Sequence, residues 1–115
     1  DSRDVEDGIK ANDEKCILAQ EMYVQKIANY IAMYNNELNG ADVIVLTAGV
    51  GENSKQTRKE IIEKVASLGI KIDDDKNDFR GEFRLISSDD SSIPVYVIPT
   101  NEELMIALDT YDLIK

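Results

Sequence analysis

Apolar and polar residues alternate along this chain with two different periods. In "ANDEKCILAQEMYVQKIANYIAMYNNELNG", Ala19, Tyr23, Ile27, Tyr30, Ile31, Tyr34 and Leu38 recur at three- and four-residue spacing. That period predicts one long helix over residues 13–38 with those side chains on one face. Asn12 or Asp13 is placed to cap it, and Asn39-Gly40 to end it. At core spacing the tyrosines read as packing residues with a hydroxyl at the rim, rather than as a platform for stacking bases. Val43 to Thr47 is a continuous apolar run, the pattern of a strand covered on both faces. Lys55 to Leu68 predicts a second helix with Ile61, Ile62, Val65 and Leu68 as its apolar stripe, stopped by Gly69. "GIKID" is a short strand or extended exit, and "FRLIS" and "IPVYVIPT" predict a hairpin around Ser88–Ser92. Pro94 fits an edge or the start of a strand. "TNEELMIALDTYDLI" opens a last helix, with Thr100 and Glu103 as a capping box. The order helix, strand, helix, strand, hairpin, helix is that of an α/β or α+β half-domain.

Composition narrows the function classes. The 115 residues, 43% of them hydrophobic, are enough for one domain with a real core. With 23 acidic against 13 basic residues, the net charge of −10 repels polyphosphate backbones, so no nucleic-acid partner is expected. A small phosphate ligand held by backbone N–H groups and a metal remains compatible with that charge. No apolar run approaches the about 18 residues that span a membrane. The chain has no histidine, which removes Ser-His-Asp triads, histidine-bound metals and histidine bases. The single Cys16 rules out an internal disulfide and fits a reducing cytoplasm; between Lys15 and Ile17-Leu18-Ala19 it reads as an inert buried thiol. The chain opens on "DSRDVEDG" without an initiator Met, as a processed chain or a piece of a longer one does.

Two stretches are candidates for chemistry. "TAGVGENS" leads from a strand through glycines into a helix N-terminus, where free backbone N–H groups meet the positive end of the helix dipole. It is neither a P-loop nor a dinucleotide fingerprint. Ligand binding and an ordinary tight turn capped by Asn53 or Ser54 both fit it. In "IPTNEEL", Glu102 is either a metal ligand at a cleft or simply an acidic residue that favours a helix start. Asp73 to Asp75 lack the alternating ligands, central glycine and distal glutamate of a calcium loop.

"TAGVGENS", "LGIKID", "RGE" and "VIPTNEELMIALDT", in this order and spacing, resemble the C-terminal part of acetate kinases, over essentially the whole chain from Asp1-Ser2-Arg3. The resemblance implies α/β architecture, part of an RNase-H-like domain of the actin-like ATPase superfamily with a mixed sheet flanked by helices, here a single domain over residues 1–115 that forms the nucleotide-binding half. It implies an enzyme that moves the γ-phosphoryl of ATP to acetate, giving acetyl phosphate and ADP, with Mg²⁺ or Mn²⁺. Propionate kinase shares these motifs, and a non-enzymatic α/β interaction domain is the alternative of another class. By the resemblance, Asp1, Ser2 and Arg3 lie against the adenosine, and Gly49, Val50, Gly51, Glu52 and Asn53 form the loop around the nucleotide. Glu102 is the carboxylate associated with the metal. Ser54, Asn101 and Glu103 belong to the motifs without a direct role. The carboxylate pocket, the phosphoryl-neutralising arginines and the catalytic aspartate lie upstream in the family. No catalytic residue is therefore expected in this chain, and the chain alone is expected to be inactive. The full-length enzyme is expected to be a cytoplasmic homodimer, with part of the helix 13–38 facing a partner or a neighbouring domain.

Overall fold

The computed structural model describes residues 7, 13–47, 54–79 and 83–98. Its elements are α1 (Glu14–Glu37), β1 (Ile44–Thr47), α2 (Lys55–Lys64), a single 3₁₀ turn (Ala66–Leu68), β2 (Arg84–Leu85) and β3 (Val95–Ile98). The helix expected from "TNEELMIALDTYDLI" lies outside the described residues.

Asp13 is the cap of α1: its carboxylate accepts from the backbone N–H of Lys15 at 2.9 Å and of Cys16 at 3.3 Å. At the other end Asn39 takes a left-handed conformation (φ 56°), Gly40 follows at φ 105°, and the Gly40 N–H reaches back to the Asn35 carbonyl at 2.8 Å. The buried face matches the predicted one at Ile27 and Ile31 and differs from it elsewhere. Val24, Ala28 and Ile31 are buried, with Ile27 packed beside them, whereas Ala19, Tyr23 and Tyr30 point outward. Hydrophobicity drew the predicted stripe through the tyrosines, whereas Val24, Ala28 and Ile31 are the residues of α1 that join the core cluster. Cys16 is half-buried rather than enclosed.

The sheet has the order β1-β3-β2, with β1 parallel and β2 antiparallel to β3. The antiparallel pair is the expected hairpin. Pro94 stands just before the central strand, and its carbonyl accepts from Ile44 N–H at 2.9 Å. All four residues of β1 are buried, as the continuous apolar run implied. Ile44, Leu46, Val95 and Val97 share the face that meets Val24, Ala28 and Ile31 of α1 and Ile61 and Ile62 of α2 in the core. Val65, Ile70, Ile86 and Ile93 close its margin. "GIKID" forms only an isolated bridge, Ile72 to Ser87.

The polar turn 87–92 is stitched to the segment after α2. Ser92 donates through its hydroxyl to Leu68 O and through its N–H to Gly69 O, both at 2.8 Å. Gly69 has φ 83°, and a Cβ there would lie 3.1 Å from both Cβ and Oγ of Ser92. Gly69→Ala is therefore expected to lower stability by about 1–3 kcal/mol, through the left-handed backbone and the crowding together; urea denaturation measures it. Asp90 completes the turn. The Lys71 ammonium at 2.9 Å, then the Ser88 hydroxyl, hold its carboxyl below its ordinary 3.8, at about 2. A depressed folded pKa stabilises above the unfolded value and is lost as pH falls through the folded one. Asp90 should therefore contribute fully above about pH 4 and lose its contribution on the way to about pH 2. Lys71→Met should flatten that part of a stability-against-pH curve, by a small amount because both groups are exposed.

Candidate functional site at the carboxyl ends of the parallel strands

β1 and β3 run parallel and in register to their ends, where Thr47 stands opposite Ile98. Directly after Thr47 comes "AGVGENS", and directly after Ile98 comes "PTNEEL". The two stretches marked for chemistry thus leave one edge of the sheet from neighbouring strands, about 4.8 Å apart. In open α/β sheets, the crevice beyond the carboxyl ends of parallel strands is where ligands bind. Asp1, Ser2, Arg3, Gly49, Val50, Gly51, Glu52, Asn53 and Glu102 lie outside the described residues; the structure supplies the strand ends that precede residues 48 and 99 in sequence.

The frame is well anchored. Ser54 ends the 48–53 stretch and caps α2: its Oγ accepts from Thr57 N–H at 3.2 Å and donates to Thr57 Oγ1 at 2.9 Å. Gln20 of α1 donates to that same Thr57 hydroxyl at 3.0 Å, tying the start of α2 to the long helix. Free N–H groups at such a start suit an anion.

Thr47, at the other end of the stretch, is 7% exposed, and its hydroxyl finds no hydrogen-bond partner among the described residues. A buried hydroxyl without a partner costs about 1–3 kcal/mol. Thr47→Val, which keeps the shape, is expected to leave stability unchanged or raise it by about 1 kcal/mol. A thermal melt without ligand decides this, and a loss of stability would show that the hydroxyl is already satisfied.

Sequence reasoning missed Arg58 and Asn77. Arg58 is fully buried and Asn77 3% exposed. Arg58 Nε donates to Asn77 Oδ1 at 2.6 Å, and its Nη2 donates to the carbonyls of Asn77 at 2.8 Å and Phe79 at 3.1 Å. The guanidinium lies 4.5 Å from the Phe79 ring centroid, with that of Arg84 at 5.2 Å. Burial lowers the Arg58 pKa to about 10, which leaves it charged at neutral pH. Helical spacing could have found Arg58, since 58, 61, 62 and 65 fall on one stripe; Asn77 sits in a polar loop with no periodic signal. Lys55, a cation next to the first motif, pairs with Asp78 at 2.9 Å and holds that carboxyl below its ordinary range.

The acidic run is partly used by its own turn. Asp73 accepts from the N–H groups of Asp75 and Lys76, and Asp74 pairs with Lys59 at 3.2 Å. Among the described residues, no group of three or more His, Cys, Asp or Glu side chains is arranged to hold a metal. None of the described helices is long and apolar enough to cross a membrane.

Fold and frame together define an α/β protein whose two motif stretches follow the carboxyl ends of neighbouring parallel strands in a mixed sheet. Comparison makes the class particular: the profile of the Acetokinase family matches residues 1–108, and the chain belongs to that family. It is 53% identical over 116 aligned residues to an acetate kinase of Thermosipho africanus, covering 100% of this chain and 29% of that protein. The crystal structure of Porphyromonas gingivalis acetate kinase superposes with a TM-score of 0.81 at 40% identity, over 100% of this chain and 29% of that one. A crystal structure titled as a propionate kinase from Francisella tularensis superposes at 0.78 with 41% identity, over 93% of this chain and 27% of that one. The expected fold class stands: a mixed α/β sheet flanked by helices, in the actin-like ATPase fold of the acetate kinases. The chain spans about 29% of the length of the relatives it matches.

Proposed function

We propose that this chain forms the nucleotide half of an acetate kinase active site, as a single domain over residues 1–115. The observation that carries the proposal is the register Thr47 to Ile98, which ends side by side the two strands that both motifs follow in sequence. In this reading Gly49, Val50, Gly51, Glu52 and Asn53 wrap the adenosine and phosphates of ATP or ADP, while Asp1, Ser2 and Arg3 lie against the adenosine. Glu102 departs from the adjacent strand toward Mg²⁺, or Mn²⁺, on the phosphate oxygens; a hard cation of this kind binds by one or two carboxylates together with phosphate. The ion's chemistry is to neutralise charge on the transferring group.

The full-length enzyme transfers the γ-phosphoryl of ATP to acetate. A carboxylate oxygen bonds to the γ-phosphorus, the bond from that phosphorus to the β–γ bridging oxygen breaks, and acetyl phosphate and ADP result. Such transfer depends on cations clamped on the migrating group. Arg3 and Lys55 are the cations that this reading sets near the glycine and Glu102 motifs, and Lys55 is paired with Asp78. Isolated residues 1–115 should therefore form no acyl phosphate. Trapping the product with hydroxylamine tests this: the full-length enzyme should be active with ATP and acetate, the isolated chain inactive, and a robustly active chain would overturn the division of labour. Propionate is a second substrate to assay, because a neighbour of nearly equal similarity bears that name.

The partners proposed are ATP or ADP, a short-chain carboxylate and a second copy of the full-length enzyme, in the cytoplasm. The free thiol of Cys16 fits that compartment. Leu18, Met22, Tyr23, Tyr30 and Met33 expose apolar surface along α1, which suits contact with a partner or with the rest of the polypeptide. A monomeric mass for the full-length enzyme at high micromolar concentration would count against the dimer.

A further inference from the structure

Asn77 places a buried amide against the first turn of α2. Its Oδ1 accepts from Arg58 Nε at 2.6 Å, and its Nδ2 donates to the backbone carbonyl of Lys55 at 2.9 Å. The Lys55 carbonyl already accepts within the ladder of its own helix. The bond from Asn77 is thus not needed to satisfy that group; what it does is orient the first turn. Arg58 returns two bonds to the carbonyls of Asn77 and Phe79. Residues 77–79 and the first turns of α2 are thereby held as one body, since no slip between them leaves these bonds intact. From that body run two stretches of the family's motifs: residues 48–53 join it at Ser54, and residues 80–82 leave it after Phe79.

We infer that Asn77, held by Arg58, is a positioning residue for the nucleotide loop: it sets where the peptide of Lys55 and the Ser54 cap stand, and so where residues 48–53 return to the fold. The inference rests on reading 48–53 as the nucleotide loop. Asn77 itself touches no substrate in this scheme. Its effect should appear in the affinity for ATP and leave acetate recognition, which lies upstream in the polypeptide, unchanged.

The test uses the full-length enzyme with Asn77→Asp, which keeps the volume and an acceptor for Arg58 but removes the donor to Lys55. KM for ATP should rise about five- to tenfold, while kcat and KM for acetate stay close to wild type; the thermal midpoint falls, because the new carboxylate oxygen faces the Lys55 carbonyl. An unchanged KM for ATP overturns the inference. So does a joint rise of both KM values, which marks a purely structural role. If the aspartate variant does not fold, the uncharged Asn77→Ser carries the same test, and failure of both to fold also overturns it. Gly51→Val in the loop is measured alongside. If it leaves KM for ATP unchanged, the nucleotide reading itself fails; if it raises KM while the Asn77 variant does not, only the positioning role fails.

Discussion

Arg58→Ala is expected to destabilise the fold by about 3 kcal/mol or more, which would make it one of the most damaging single changes. The truncation removes the three hydrogen bonds that Arg58 makes among the described residues and leaves the Asn77 amide oxygen and the Phe79 carbonyl without that donor, while the Asn77 carbonyl keeps the Phe79 N–H at 3.1 Å. Each such group, if left dry, costs about 1–3 kcal/mol. The aliphatic stem, packed in a fully buried side chain, is lost as well. Arg58→Lys keeps the charge but not the planar fork, so it should recover only part of the loss. Urea denaturation with an unchanged slope reads both variants. A loss below about 1 kcal/mol for the alanine variant would mean that water or a rearranged loop replaces the guanidinium.

The second large effect is expected on binding. Gly51→Val in the full-length enzyme should lower kcat/KM for ATP by on the order of 100-fold, about 2.7 kcal/mol of lost interaction. In the proposed site the nucleotide approaches the backbone of residues 49–53, and a branched side chain at Gly51 would stand where the phosphates lie. It would also confine a backbone that a glycine leaves free. The same variant should change KM for acetate little, because the proposed division puts the acetate pocket outside this chain. Steady-state kinetics with each substrate varied in turn separates the two, and a change within about twofold for ATP would remove the loop from the site.

The parts legible in the sequence were those written in periodicity and caps. Asp13 starts α1, Asn39-Gly40 stops it, Ile61, Ile62 and Val65 face the core, and Gly69 turns the chain left-handed, all as their residue types imply. The buried face of α1 was not legible in the same way. Tyrosines score as apolar, yet Tyr23 and Tyr30 are exposed at 40% and 39%, while Val24 and Ala28 meet the core. Which apolar residues lie inward depends on the helix docked against them, and no local pattern contains that. The resemblance carried the family and the motif residues. What no motif contained was the register of β1 on β3, which makes neighbours of two stretches far apart in sequence. The Arg58–Asn77 pair is equally non-local: one partner is a charge on an otherwise apolar stripe, the other an amide in an acidic loop.

The most direct test of the nucleotide site is amide hydrogen exchange of the full-length enzyme with and without Mg·ADP, read by peptides. Ligand that binds at the carboxyl ends of β1 and β3 should protect peptides covering residues 48–53 and 99–103 together, with α1 unaffected. Saturating ADP that leaves both of those peptides exchanging at the free rate, and protects others instead, would contradict it.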